Sequence, residues 1–456
     1  MTDVRAEGPE VRQPALRRVM GPKLLLFFVV GDIIGTGVYA LTGQVAGRVG
    51  GALWLPFLLA FVVAFMTAFS YLELVGKYPR AAGAALYTNR AFGVPFLTFM
   101  VAFAVMCSGI TSASSAAVAF GATYLAAFVK LPMVLVGIGF VLALALINFR
   151  GVGESVKANV ALTCIELSGL LIIIGVGVWA VINGDGEPAR LVEINTADKT
   201  WLVAITSATS LAFFAMVGFE DSVNMAEECH DPVRIFPKAM LWGMVVAATI
   251  YVLVSITSSL LLPAGDLAAA KSDALLKVLD VGAPGFPREI FSAIGLFAVI
   301  NSALINMLMA SRLLYGLANE RVLPAVFGRV HKTRSTPWVS IIFTSAIAIL
   351  LVSFVDISAL GGTTALLLLV VFAIVNVALL VLRRDKVVHK HFRAPTAIPV
   401  LAAIFCVYLV SPLSGRPASD YAVGAILLGV GVVLWFVNWL VKRGLDRREV
   451  KRGSAG

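Results

Sequence analysis

Apolar runs of membrane length, each closed by a short polar stretch, follow one another along the whole chain. A helix needs about 20 mostly apolar residues to cross a bilayer. Twelve such runs can be drawn, near 22–45, 51–75, 95–127, 132–149, 158–182, 201–225, 238–263, 287–317, 338–355, 358–382, 396–412 and 420–441. The expected fold is all-α: twelve transmembrane helices in a single domain over 22–442, between a polar arm, 1–21, and a basic tail, 443–456. The longest connections, 183–200 and 264–286, carry Gly, Pro, Asp and Lys and are expected to be short caps rather than domains. The first 20 residues lack the short apolar core and small-residue cleavage site of a signal peptide.

Two runs are broken. The first contains Val30-Gly31-Asp32-Ile33-Ile34-Gly35-Thr36-Gly37-Val38-Tyr39. In the bilayer no water solvates free backbone groups, so an interrupted helix must satisfy them with protein or ligand. Gly35 and Gly37 let the chain leave helical geometry, and Asp32 places an ionisable group where such groups are costly and usually functional. The second is Leu211 to Asp221, where Gly218 breaks the apolar run and Glu220 and Asp221 follow. These runs begin two five-span halves, 22–182 and 201–382, with 396–441 left as an extra pair. An odd number of spans per half turns the halves upside down relative to each other. Interrupted helices at matching places in such halves point to a binding site near the midplane, with helices 1 and 6 unwound there. The N-terminal end of a half-helix suits a carboxylate, and the C-terminal end of another suits an ammonium group. A ligand with both groups on one carbon fits such a break better than a sugar does. The competing reading, glycine as a packing residue between helices, explains one glycine better than the matched pair of breaks.

Composition agrees with the pattern: of 456 residues, 59% are hydrophobic and 14% charged, against roughly a quarter charged in soluble domains. The net charge of +10 would suit a nucleic-acid binder if it were gathered on one face. Instead only Arg48, Lys130, Arg190, Lys199, Lys271, Lys277, Arg288 and Arg416 of the 36 Lys and Arg fall on one side of the expected topology. That bias places both termini in the cytoplasm of a cell (inner or plasma) membrane, with anionic lipid rather than nucleic acid as the partner of the basic loops. Cys107, Cys164, Cys229 and Cys406 suggest no disulfide, and His230, His331, His389 and His391 lack metal-ligand spacing, so no metal or cofactor is expected.

Asp32, Glu166, Glu220 and Asp221 lie in or beside spans, with no Lys or Arg deep in a span to pair with them. Such acids must hold a proton, water, a cation or a cationic ligand, which favours a cation or proton pathway. Helix-interface hydrogen bonding is the plainer reading of Glu166, and capping of the half-helix that of Asp32.

These residues resemble a known family. Gly31 to Tyr39 resembles the first-helix motif of the amino acid–polyamine–organocation (APC) permeases. Tyr78-Pro79-Arg80-Ala81-Ala82-Gly83-Ala84-Ala85-Leu86-Tyr87 resembles their loop after the second helix. Phe213 to Asp221, continuing through Ala226-Glu227-Glu228, Asp231-Pro232 and Ile235-Phe236-Pro237, resembles their sixth helix and the loop after it. The resemblance implies the leucine-transporter-like fold of inverted repeats. It implies that Gly35, Thr36 and Gly37, with Ile33 nearby, bind the substrate carboxylate, and that Phe214, Ala215, Val217 and Gly218 line the amine side and an aromatic gate. Glu220 stands where relatives carry an acid tied to gating or protonation, and Asp32 where many carry a small residue. Glu166 stands where proton-coupled relatives often carry lysine; Ser302, Asn306 and Ser311 are its candidate oxygen neighbours. Glu227 or Glu228 with Arg80 or Lys77 is a candidate inner gate, and Ser108, Ser112 and Ser115 form a possible pocket-facing stripe.

The expected function is alternating-access transport of a cationic or neutral L-amino acid with protons, coupled and gated through Glu166, Glu220 and Asp32. An amino-acid or amine exchanger and a sodium-coupled symporter are the alternatives within transport. A non-transporting amino-acid sensor is the alternative from another class. No nucleophile–base pair suggests an enzyme, and no catalytic residue is assigned.

Overall fold

Proline and capping side chains start many of the helices. In the computed structural model, which describes residues 21–78, 83–150, 155–197, 199–223, 229–319, 323–332, 334 and 336–453, Pro22, Pro95 and Pro232 each occupy a first helical position. A missing N–H costs nothing there, because that N–H has no partner within the helix. Thr200 Oγ1 accepts from the Val203 N–H (3.4 Å) and Asp356 Oδ1 from the Ala359 N–H (3.0 Å), capping two more.

The helices are α1 (Pro22–Ile33), α2 (Thr36–Val49), α3 (Trp54–Lys77), α4 (Gly83–Phe92), α5 (Pro95–Ala119), α6 (Met133–Arg150), α7 (Ser155–Asn183) and α8 (Trp201–Ala212). They continue as α9 (Pro232–Leu261), α10 (Ala264–Ala270), α11 (Ala274–Gly282), α12 (Arg288–Asn319), α13 (Trp338–Phe354), α14 (Ile357–Leu382), α15 (Ala397–Val410) and α16 (Ala418–Gly453). Among the described residues, ten helical segments are long and apolar enough to cross a membrane, and α13 and α15 are shorter apolar helices. The third apolar run is long because α5 passes into a π turn at Phe120–Tyr124 and a 3₁₀ turn at Leu125–Ala127. Among the described residues, the connection at 183–200 holds a 3₁₀ turn, and that at 264–286 holds the short helices α10 and α11 with a 3₁₀ turn, Lys271–Asp273, between them.

Burial sorts the bundle into a centre and a rim. The most apolar windows of Pro22–Val49 and Trp201–Val223 are 78% buried, against 28% for α6 and 22% for Ala418–Leu440. The two interrupted segments are therefore central. Around them, α1 packs on α7 and α9, α2 on α8 and α10, and α5 on α12 and α14. Large apolar side chains such as Leu135, Ile182, Phe354 and Ile426 point outward, as a lipid-facing surface requires.

Polar ties hold the bundle at both ends. At one end, buried Glu73 in the last turns of α3 receives Arg383 in two parallel bonds, Nε to Oε1 (3.0 Å) and Nη2 to Oε2 (2.7 Å). The Ala394 N–H donates to the same Oε2 (2.8 Å), Lys77 donates to the Leu382 carbonyl, and the Tyr78 hydroxyl donates to Asp385 (3.0 Å). Arg383, one of the many basic residues counted in the charge bias, is thus also half of a structural ion pair. Burial first, and then the Asp385 hydrogen bond, raise the Tyr78 hydroxyl above its ordinary pKa.

At the other end, Arg48 donates to the Ser207 carbonyl (3.0 Å) and to Ser358 Oγ (3.2 Å), joining α2 to α8 and α14. Arg416 pairs with Asp420 (3.1 Å) and donates to the carbonyls of Gly362 (2.6 Å), Ser210 (3.3 Å) and Leu409 (3.3 Å). Both arginines count as loop charges in the sequence pattern, yet both bond into the bundle.

Candidate functional site

The last N–H of α1's ladder is that of Ile34, which donates to the Val30 carbonyl (2.8 Å). Gly35 then turns the chain with φ −90° and ψ −140°, and α2 starts at Thr36. Thr36 and Gly37 therefore stand in the first turn of α2, where N–H groups lack partners within the helix. The second interruption begins earlier than Gly218, the position the sequence suggests. Helix α8 ends at Ala212, a 3₁₀ turn covers Phe213–Met216, and Val217 is extended.

The two interruptions touch. Gly218 has φ +122°, and a methyl group there would sit 2.6 Å from the Asp32 carbonyl oxygen and 3.1 Å from the Ile33 nitrogen. One on Gly37 would sit 2.5 Å from the Ala215 α-carbon. At both places backbone lies on backbone, closer than any side chain allows. Gly35 faces Ser302 of α12 with similar closeness.

Between them is a cavity lined by Asp32, Ile33, Gly35, Thr36, Gly37, Ser112, Phe214, Val217, Gly218, Asp221, Ser302 and Asn306. Its water-accessible space is about 20 Å³, room for about one water rather than an amino acid. Thr36 Oγ1 and Asp32 Oδ2 are buried with no hydrogen-bond partner among the described residues. The freed end of α1 is partly satisfied by protein: the Tyr251 hydroxyl of α9 donates to the Ile33 carbonyl (2.5 Å). Glu220 turns back on its own loop, with Oε2 accepting from the Gly218 N–H (2.9 Å).

Glu166 stands apart from the cavity lining, on α7, fully buried. Its Oε1 accepts from Asn301 Nδ2 of α12 (3.1 Å), and its Oε2 has no partner among the described residues. The Tyr39 hydroxyl donates to the Glu166 main-chain carbonyl (2.6 Å), and the Tyr124 hydroxyl donates in turn to the Tyr39 carbonyl (2.9 Å). A chain of buried polar groups thus links α7 to α2 beside the first interruption.

The family model for amino acid permeases matches residues 21–437. The chain belongs to the amino acid permease family. The permease is similar to an uncharacterised transporter of Mycobacterium tuberculosis, 27% identical over 94% of this chain and 93% of the relative. A branched-chain amino acid permease of Bacillus subtilis is 24% identical over 93% of this chain and 94% of its own length. A low-affinity putrescine importer of Escherichia coli is 27% identical over 71% and 73%, respectively. The family and these relatives are transporters, not enzymes, and the permease is a multi-pass membrane protein.

Most residues singled out in the permease's sequence meet at one place. Asp32, Ile33, Gly35, Thr36, Gly37, Phe214, Val217 and Gly218 all line the cavity, while Ala215 instead packs on Gly37. Of the candidate oxygen neighbours of Glu166, Ser302 and Asn306 line the cavity, and Ser311 donates to the Leu308 carbonyl (2.9 Å). The neighbour that does bond Glu166, Asn301, is one residue from the serine that sequence reasoning chose. The serine stripe divides: Ser112 lines the cavity, Ser108 donates to the Val105 carbonyl (2.7 Å), and Ser115 is buried without a partner among the described residues. Glu227, Glu228 and Arg80 lie outside the described residues, so the inner-gate pairing does too. Tyr251 was missed, because a tyrosine in an apolar helix carries no sign of what its hydroxyl will meet.

Proposed function

We propose that the permease is a secondary active transporter that takes up a cationic or neutral L-amino acid with protons by alternating access. On this reading the ten long apolar helices and α13 and α15 make twelve transmembrane helices of one domain over 22–442. Residues 22–182 and 201–382 are inverted five-helix repeats, 396–441 adds two helices, and the first and sixth helices are unwound at the midplane. The arm 1–21 and tail 443–456 are cytoplasmic, as the Lys and Arg bias requires, and the basic loops meet anionic lipid of the cell membrane.

The observation that carries the reading is the contact between the two interruptions around a cavity with an unpartnered hydroxyl, Thr36 Oγ1. The free N–H groups of Thr36 and Gly37 suit a substrate carboxylate. The acids of the cavity suit its ammonium group, and Ile33, Phe214, Ala215, Val217 and Gly218 shape the rest of the pocket. Relatives named for branched-chain amino acids and for putrescine support a small amine-bearing substrate. Glu166 supports proton coupling: a sealed carboxyl with one oxygen bonded and the other unpaired is suited to gaining and losing a proton as its surroundings change. Glu220 and Asp32, at the joint between the interruptions, are placed to gate.

The test is uptake of labelled arginine, alanine and leucine into proteoliposomes, with and without an inward proton gradient, for wild type and Glu166→Gln. Gradient-driven accumulation that disappears in the variant is the expected result. Uptake that ignores the gradient but needs preloaded substrate would make this an exchanger. Uptake that follows sodium instead would make it a sodium-coupled symporter, and binding without flux a sensor.

A further inference from the structure

We infer that Arg416, in the turn between the two extra helices, is a positioning residue of the cavity: it supplies the donor that α8 lacks where its winding changes, and so sets where the second interruption begins. This goes beyond the transport reading above, which draws the site from the two five-helix halves alone, and its consequence for transport rests on that reading.

An α-helix bonds each N–H to the carbonyl four residues back, a 3₁₀ turn to the carbonyl three back. The last bond of the first kind in α8 runs from the Phe213 N–H to the Thr209 carbonyl, and the 3₁₀ turn Phe213–Met216 follows. Where the spacing drops from four to three, one carbonyl is passed over, and here it is that of Ser210. Ser210 is fully buried in a bundle where no water reaches such a group. Arg416 Nη2 reaches it instead, at 3.3 Å. The other two carbonyls that Arg416 meets are served without it. Gly362 lies inside α14, and Leu409 also accepts from Ser414 Oγ (3.2 Å).

The turn is built to deliver the guanidinium to this place. Gly415 has φ +75°, and a methyl on it would lie 2.5 Å from Val203 Cγ1, so the turn sits directly on α8. Thr206 Oγ1 donates to the Ser414 carbonyl (3.0 Å). Val203, Thr206 and Ser210 share one face of α8 by their spacing of three and four. Asp420, one turn further on, bonds Arg416 (3.1 Å) and balances its charge, and neither side chain is more than 1% exposed. A cation beside the carbonyl end of a helix also opposes the helix dipole. Four residues beyond Ser210 stands Phe214, with Val217 three further, and both line the cavity. A change in the register of this end of α8 carries them with it. The plainer reading is that Arg416 only ties the extra helices to the bundle. Thr206 makes the same tie without serving the passed-over carbonyl, so the two readings separate.

Hydrogen–deuterium exchange of the purified full-length protein would be followed by mass spectrometry for wild type, for Arg416→Met with Asp420→Asn, and for Thr206→Val. Replacing both members of the ion pair leaves no bare charge in the bundle. Exchange over 211–219 should rise about tenfold in the double variant, the effect of one buried carbonyl left unpaired, and stay at the wild-type rate in Thr206→Val. Labelled arginine, alanine or leucine, whichever wild type takes up into proteoliposomes, should need about tenfold more for half-saturation in the double variant, with a smaller change in maximal rate. Arg416→Lys keeps a cation but loses the fork of donors, and should give the same pattern at smaller size if the double variant does not fold. Wild-type exchange over 211–219, a rise spread evenly along the chain, or an equal rise in Thr206→Val overturns the inference. So does a local rise with unchanged half-saturation, which would make Arg416 a structural tie. A protein that takes up none of the three labels sinks the transport reading, and exchange over 211–219 still decides the place of Arg416, so the two fail separately.

Discussion

Gly218 rests on the main chain of Asp32 so closely that a single added methyl would come within 2.6 Å of its carbonyl oxygen. The two interrupted segments thereby meet main chain to main chain at this point. Gly218→Ala combines that clash with a φ of +122°, a region alanine rarely enters, for a cost of roughly 1–3 kcal/mol before the clash is counted. Uptake should fall to background, and the unfolding temperature should drop. A variant with wild-type uptake would show that the two segments are free to part.

The Tyr251 hydroxyl substitutes for the helix that α1 does not continue. Tyr251→Phe strips the Ile33 carbonyl of its protein donor, and an unsatisfied buried carbonyl costs about 1–3 kcal/mol. The expected signature is a lower unfolding temperature that added substrate partly restores. Unfolding curves that coincide with wild type would mean that other groups satisfy the carbonyl equally well.

Glu73 and Arg383 make a buried, doubly bonded ion pair at their end of the bundle, two bonds of 3.0 and 2.7 Å with Glu73 only 1% exposed. Removing one partner of a buried pair leaves the other charge uncompensated, at about 3–5 kcal/mol. Glu73→Ala should therefore destabilise strongly, and Glu73→Ala with Arg383→Met should recover part of the loss in thermal unfolding. A double variant less stable than the single would show that Arg383 contributes mainly through its bonds to Thr396 and the Ala394 carbonyl.

Arg48 holds α2 to α8 and α14 at the opposite end. Arg48→Met removes both bonds while keeping most of the side chain's bulk, so that end should open more often. A cysteine placed at Ser112, in a background without the four native cysteines, should react faster with a membrane-impermeant maleimide when Arg48 is replaced. An unchanged labelling rate would assign Arg48 to static packing.

What the sequence made legible is what violates the membrane pattern. Glycine and aspartate in an apolar run announce the first interruption, and they do line the cavity. The second was legible in place but not in extent. Gly218 lies inside it, with turns and 3₁₀ winding continuing through Val223, whereas its start at Phe213 is a change from α to 3₁₀ winding that apolar residues adopt without any signal. The long ties were not legible at all. Glu73 and Arg383 are 310 positions apart, and each looks like an ordinary loop-proximal charge. Arg48 and Arg416 count toward topology whether they face water or bond into the bundle, so charge counting cannot separate the two. Asn301 hides beside Ser302 because neighbouring positions on a helix point some 100° apart, and only packing decides which one meets Glu166.

A site that holds about one water molecule, with polar ties at both ends of the bundle, also bears on what the protein does when it carries nothing. A centre with room for about one water is a poor path for ions. On the proposed transport cycle, so small a centre would limit the leak of ions between turnovers. Admitting cargo, on the same proposed cycle, means widening the centre by many times its resting volume.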